Sequence, residues 1–233
     1  VREALDDFGI KFPVMQDNNY ETWRAYGNRY WPRKYLIDHK GYLVYDHIGE
    51  GAYDETEMKI QELLEARGVD VDEGLVDVNG ERTQARSPET YFGAARNELL
   101  ANGKPFQMGI QDLEVPEKLQ GHALYLGGNW NIQPEYAESN ESGVTVNFRY
   151  FAKNVFLVMA AETETDLIVE VDGEVLRRED LGRDVELLGS QAVVKVRNEQ
   201  LYRLVEHGEA GEHVLTVTVS EPGVQRFAVT WGA

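Results

Sequence analysis

The chain has 233 residues, with 23 Lys and Arg against 41 Asp and Glu, a formal charge of −18, and no cysteine. Without a thiol these residues hold no disulfide, Cys nucleophile, thiolate metal site or Cys-x-x-Cys redox couple. The acidic excess disfavours nucleic acid and anionic membrane surfaces as partners, because both are bound through clustered Lys and Arg. An apolar content of 42% is enough for a packed core. No run of about 18 apolar residues occurs, so nothing here reads as a membrane-spanning helix. The mixed, charged residues 1–7 do not read as a signal peptide. Length suggests one or two domains.

Residues 1–67 read as short strands alternating with helices. Residues 2–8 form a helix tail with Leu5 and Phe8 on one face and Gly9 as its stop. The apolar run Phe12-Pro13-Val14-Met15 ends at Gln16-Asp17-Asn18-Asn19. Asn19 is placed to cap a helix that begins near Tyr20, carries Trp23 and Tyr26, and stops at Gly27. Tyr35-Leu36-Ile37-Asp38 is a strand, and His39-Lys40-Gly41-Tyr42 is a turn with Gly41 at the left-handed position. Residues 43–48 return as a second strand. Asp54 opens a helix carrying Met58, Ile60 and Leu64, which Gly68 ends. Residues 68–87 are rich in acid and Gly, from Gly68-Val69-Asp70 through Asp77-Val78-Asn79-Gly80, and read as a surface linker.

Residues 88–233 change rhythm. Segments 144–150, 167–171, 214–219 and 227–231 alternate apolar and polar, the mark of strands with one buried face. Val155-Phe156-Leu157-Val158-Met159 is continuously apolar, which predicts a strand covered on both faces. Lys153-Asn154 is expected to turn the chain just before it. Asp172-Gly173 is a two-residue hairpin signal. One helix is expected, over residues 88–99. The fold class is therefore α/β followed by all-β, the second part a β-sandwich of jelly-roll type.

Few constellations carry chemistry. Pro32, directly before a strand, either sits in a cis bond that fixes a tight turn or is a trans proline that starts the strand. None of His39, His47, His122, His207 and His213 has the i, i+4 spacing of a helical zinc site. Asp70, Asp72, Glu73 and Asp77 lack the twelve-residue calcium loop and its terminal Glu. Gly49-x-Gly51 lacks the third glycine of a nucleotide loop, and no Gly-x-Ser-x-Gly elbow is present. No metal or cofactor is expected.

Phe12-Pro13-Val14, Asp17, Trp23, Tyr26-Gly27, Trp31-Pro32 and Tyr35-Leu36-Ile37-Asp38-x-x-Gly41 occur in one order at plausible spacing. In these motifs the chain resembles the second half of a thioredoxin-like domain, closest to extracytoplasmic thiol–disulfide proteins of the TlpA and DipZ kind. Further on, Ser87-Pro88-Glu89-Thr90-Tyr91-Phe92-Gly93, Gly127-Gly128-Asn129-Trp130, Phe151-Ala152-Lys153-Asn154-Val155 and Leu201-Tyr202-Arg203-Leu204-Val205 are similar to the C-terminal module of DipZ-type proteins. That module is a β-sandwich resembling carbohydrate-binding modules. The resemblance implies a partial thioredoxin fold at 1–67, a linker at 68–87 and the β-sandwich at 88–233. It also implies that Trp31 and Pro32 are the remnant of the cis-proline substrate groove, that the parent acts on protein thiols, and that the location is extracytoplasmic.

The family's Cys-x-x-Cys lies upstream of the part this chain resembles. The chain is thus expected to be a C-terminal fragment, redox-inert because exchange needs a thiolate attacking a disulfide sulfur. Lack of the cysteine-bearing strand leaves backbone groups unpaired along a sheet edge. A second copy of the chain is expected to cover that edge, the alternative being a half that is poorly ordered or leans on the sandwich. For the second part, a glycan is the candidate ligand, stacked on an exposed aromatic. Trp130, Tyr125 and Tyr136 are the main candidates, with Tyr91, Tyr202 and Trp231 behind them, against the usual burial of aromatics in a core. Two readings follow: the C-terminal portion of a thiol–disulfide oxidoreductase, or a binding module using the β-sandwich for a glycan or protein.

Overall fold

The computed structural model describes residues 1–71, 74 and 87–232. The chain divides into two compact units, Val1–Gly80 and Glu81–Ala233. The expected linker over 68–87 straddles that division, and most of it, including Asp72, Glu73 and Asp77, lies outside the described residues.

The first unit runs α1 (Arg2–Asp7), α2 (Glu21–Ala25), β1 (Arg33–Ile37), β2 (Leu43–Ile48) and α3 (Tyr53–Glu65). β1 and β2 form an antiparallel pair with Tyr35 opposite Asp46. Their turn is set by Asp38, whose Oδ1 accepts from the N–H groups of Lys40 and Tyr42 at 2.9 and 2.8 Å. Gly41 takes the left-handed conformation there, at φ 88°. α3 ends as its sequence suggests: Gly68 adopts φ 77°, and Val69 N–H donates back to the Leu64 carbonyl at 3.1 Å.

The start of α2 differs from expectation. Asn19 makes no cap; Asp17 accepts from the N–H groups of Thr22 and Trp23 at 2.9 and 2.8 Å. The left-handed turn at Tyr20, φ 57°, folds the chain so that the earlier carboxylate reaches the free helix end. Those N–H groups hold the Asp17 carboxyl below its usual range.

Among the described residues of the first unit no apolar side chain is buried; only Gly51 is. Phe12, Met15, Trp31 and Tyr42 are each more than 65% exposed.

The second unit is all-β. Its strands are β3 (Thr90–Tyr91), β4 (Gly109–Leu113), β5 (Leu124–Ile132), β6 (Ala137–Ser139), β7 (Thr145–Ala161), β8 (Thr165–Val171), β9 (Glu174–Val175), β10 (Val185–Leu188), β11 (Gln191–Val196), β12 (Gln200–Val219) and β13 (Val224–Gly232). A short 3₁₀ turn covers Arg178–Asp180. The hydrogen-bonded order is β10-β11-β8-β12-β7-β13-β6-β5-β4, with β5 pairing β7 as well. β5 and β13 therefore each pair with both β6 and β7, and the sheet closes on itself around the core. That core holds Trp130, Phe148, Leu157 and Val217, all essentially without exposure.

Period two is realised cleanly in β8, which alternates buried and half-buried along all seven residues. The Asp172-Gly173 hairpin is present, with φ 56° and 76° at its two central residues and Glu170 opposite Val175. Three expectations fail. The chain does not turn at Lys153-Asn154: β7 runs through it unbroken, because its two halves pair with different strands, β5 first and β13 after. Residues 155–159 are not covered on both faces; Val155, Leu157 and Met159 point inward while Phe156 and Val158 are half-buried. No helix forms over 88–99. There Ala94 and Ala95 donate to the carbonyls of Gln133 and Pro134 instead, and Asn97, fully buried, accepts from Phe106 N–H at 2.7 Å. Gly93 permits this crossing, since a Cβ at that position would sit 2.2 Å from the Glu135 carbonyl carbon.

Candidate functional site

In the first unit the Trp31–Pro32 peptide bond is cis. Pro32 leads directly into β1, and its carbonyl accepts from Gly49 N–H at 2.9 Å, which pins the start of β1 to the end of β2. Trp31 projects outward, 86% exposed. Beyond it, Arg33 Nε donates to Asp46 at 3.0 Å, and Lys34 Nζ reaches the Gly51 carbonyl at 2.6 Å and Thr56 Oγ1 at 3.0 Å, joining β1 to α3.

A largely apolar cavity of about 360 Å³ opens beside β1. Trp23 and Tyr26 from α2 and its C-cap wall one side, and Tyr35 and Ile37 from β1 the other. Tyr26 and Tyr35 pack with ring centres 5.0 Å apart. The Tyr35 hydroxyl is enclosed yet meets no hydrogen-bond partner. A polar group so placed is costly to leave without a partner. Among the described residues β1 is paired only to β2, so each strand of this small sheet has one edge without a described strand partner.

In the second unit the aromatic candidates are brought to different places. Trp130 has no exposure; its Nε1 donates to the Gly127 carbonyl at 3.1 Å, and the Arg226 guanidinium lies 4.8 Å from its ring. It is part of the core and offers no free face for a ligand. Tyr125 is 4% exposed, its hydroxyl held by the Gln120 N–H. Tyr136 is half-buried against Phe227 at 5.4 Å. Tyr202 is buried, and Trp231 is too, donating to the Pro88 carbonyl at 2.8 Å. Tyr91 packs under the Arg96 guanidinium, 3.6 Å away. The Gly127-Gly128-Asn129 run looks like a loop in sequence, but it lies inside β5, where Gly127 and Gly128 make room for Thr145 and Val144.

A cleft that no sequence motif marks does exist in this unit. It encloses about 790 Å³ and is lined by residues 115–120 with Asn147, Arg149 and Val214. Asn147 is fixed by Thr145 and Thr216, and Arg149 pairs with Glu212. Its polar groups come from strands and a loop distant in sequence, so local pattern could not reveal it. Among the described residues no group of His, Asp and Glu is arranged to hold a metal ion, and no helix is long and apolar enough to cross a membrane.

The all-β unit follows the small helix-and-hairpin unit in the chain. Residues 87–232 match the family described as "Thioredoxin like C-terminal domain", and the chain belongs to that family. It is 33% identical over 163 residues to Protein DipZ of Mycobacterium bovis and to Protein DipZ of Mycobacterium tuberculosis, a match covering 68% of this chain. The chain spans about a quarter of the length of those relatives, 24%. Among solved structures, a family two carbohydrate esterase from Cellvibrio japonicus aligns with 47% of this chain and 31% of its own, at TM-score 0.39 and 15% identity. CsCBM6-3 from Clostridium stercorarium, in complex with cellobiose, aligns with 54% of this chain and 93% of its own, at TM-score 0.29 and 12% identity.

Proposed function

We propose that this chain is the C-terminal, non-catalytic portion of an extracytoplasmic thiol–disulfide oxidoreductase that acts on protein thiols. The observation that carries the reading is the first unit's lack of any buried apolar side chain among its described residues, beside a second unit with a full core. A piece of roughly 70 residues without a core does not stand alone; it is one layer of something larger. The 33% identity to DipZ proteins supports a thiol–disulfide protein as that larger molecule. In this reading the first unit is part of a thioredoxin fold, the cavity between α2 and β1 is filled by its missing layer, and Trp31 and Pro32 shape the rim where a substrate peptide lies. The sulfur chemistry belongs to cysteines elsewhere in the polypeptide, and this chain, having none, is redox-inert.

The test is insulin reduction by dithiothreitol-driven turnover. The chain alone is expected to show none. The longer polypeptide with its upstream Cys-x-x-Cys segment is expected to be active, and less so as Trp31→Ala. Turnover by the chain alone, or none by the longer protein, overturns the proposal. In isolation the uncovered surface is expected to pair with a second copy, and light scattering that finds only monomer removes that part.

The large cleft beside Asn147 and Arg149 favours a second reading, in which the β unit binds a glycan or a protein. Binding on a glycan array that Arg149→Ala abolishes, with the circular dichroism unchanged, supports it; a blank array speaks against a glycan.

A further inference from the structure

Residues 22–37 run against the charge of the chain around them. They hold Arg24, Arg29, Arg33 and Lys34 and no Asp or Glu, in a protein of net charge −18. No other stretch free of acid carries more than two Lys and Arg. The same residues include Trp23, Tyr26, Tyr30, Trp31 and Tyr35. Basic and aromatic side chains are thus concentrated on α2, β1 and the segment between them, which contains the cis Trp31–Pro32 bond.

The four cations are not equally free. Arg33 pairs with Asp46, and Lys34 is turned to the Gly51 carbonyl and Thr56. Arg24 donates to the Asn19 carbonyl at 2.6 Å. Arg29 is exposed and forms no ion pair among the described residues. Its loop is held at both ends. Asn28 N–H donates to the Trp23 carbonyl at 2.9 Å, and Asn28 Oδ1 accepts from the N–H groups of Arg29 and Tyr30 at 3.0 and 3.4 Å. At the far end the Pro32 carbonyl accepts from Gly49 N–H. Between these anchors Tyr30 is 53% exposed and Trp31 more so. Aromatic rings are ordinarily drawn into a core. Here two neighbours stay in water beside an unpaired guanidinium, and the loop offers an apolar and a cationic contact together.

We propose that Arg29, Tyr30 and Trp31 select acidic polypeptide segments: an Asp or Glu of the partner meets the Arg29 guanidinium while an apolar side chain next to it packs on the two rings. This rests on the reading of Trp31 and Pro32 as the rim of a substrate groove, and it names which protein thiols that groove takes, those in acidic surroundings. A guanidinium suits a carboxylate because its fork of N–H donors matches the two oxygens. Nucleic acid also pairs with cations and stacks on rings. A strand of phosphates, however, extends past one short loop and meets the repulsion of a protein with a large acidic excess. A short acidic segment engages the loop alone.

Fluorescence anisotropy of the whole chain with two fluorescein-labelled peptides tests this. The peptides share one Leu-Val-Leu centre and carry either Glu or Lys on both sides of it. The net charge of the chain favours the Lys peptide and the loop favours the Glu peptide, so the sign of the preference separates them. At about 0.15 M salt, where exposed charges more than about 8 Å apart are screened, the Glu peptide is expected to bind about threefold to tenfold more tightly. Arg29→Glu, at an exposed position, is expected to reverse the order, and Trp31→Ala to weaken both peptides alike. No binding, equal binding or a preference for the Lys peptide overturns the proposal. So does an unchanged order in Arg29→Glu, or tighter binding of a single-stranded oligonucleotide than of the Glu peptide. This binding needs no thiol, whereas insulin reduction by the longer polypeptide does, so failure of the acidic preference and failure of the oxidoreductase reading are told apart.

Discussion

Arg226 offers the sharpest test of how the second unit is held together. It is fully buried in the core, where Nη1 donates to the Val224 carbonyl at 3.2 Å while Nε and Nη2 meet no partner. Among the described residues no carboxylate is paired with it, and burial alone pulls the guanidinium from its usual range down to about 9. That displacement corresponds to roughly 5 kcal/mol charged against the folded state at neutral pH. The hydrogen bond to Val224 returns about 1.5–3 kcal/mol of this and the contact with Trp130 about 0.5–2, which leaves about 0–3 kcal/mol. Arg226→Met keeps the length and the contact with Trp130 and removes the charge. It is expected to stabilise the unit by up to about 3 kcal/mol, or to raise the melting temperature by up to about 10 °C. Urea unfolding followed by tryptophan fluorescence reads this directly. The sign with pH follows from linkage. Between about 9 and the usual guanidinium range the unfolded chain holds a proton at this site that the folded chain has released, so the wild type's deficit shrinks as pH rises. A variant less stable than wild type by 1 kcal/mol or more would refute the reasoning, because the guanidinium would then have a compensating partner.

Further consequences can be measured alongside it. Trp130→Ala empties the centre of the core and is expected to cost about 3–5 kcal/mol in urea unfolding; a loss below 1 kcal/mol would mean the ring is not enclosed. Gly93→Ala forces a Cβ to within 2.5 Å of backbone at residues 134–136 and is expected to cost about 1–3 kcal/mol or more. Asp17→Ala is expected to lower helicity in the far-ultraviolet at neutral pH by freeing the first turn of α2. The N–H groups of Trp23 and Thr22 hold that carboxyl low, so its contribution is present above the usual carboxylate range. It disappears as pH falls through the lowered value, and the two proteins should converge in strong acid.

Much of the local structure was legible in the chain order of residues. Alternation marked β8, Asp172-Gly173 marked its hairpin, Gly41 marked the turn between β1 and β2, and Gly68 marked the end of α3. These signals work because a turn or a strand face is decided by a handful of adjacent side chains. Family motifs pointed to a thioredoxin-like relative, and residues 87–232 belong to such a family. The helix expected over 88–99 failed because its N–H groups are claimed by the strand-end carbonyls of Gln133 and Pro134. Asn19 was the nearer cap for α2, but a left-handed Tyr20 brought Asp17 there instead.

The candidate sites show the same division. Composition alone settled that no thiol chemistry arises within these 233 residues, since no fold supplies a sulfur nucleophile that the chain lacks. Periodicity settled that the second part would be β. Which aromatics face a ligand was beyond either, because Trp130 and Tyr125 sit on strands whose inward face depends on pairing with β4, β6 and β7. The stacking of His207 on His213, six positions apart on one strand, arises from a bulge that exists only because β7 and β12 fall out of register. Local signals record what neighbours along the chain prefer; burial, clefts and shared protons are set by segments far apart, and those meet only once the sheet has closed.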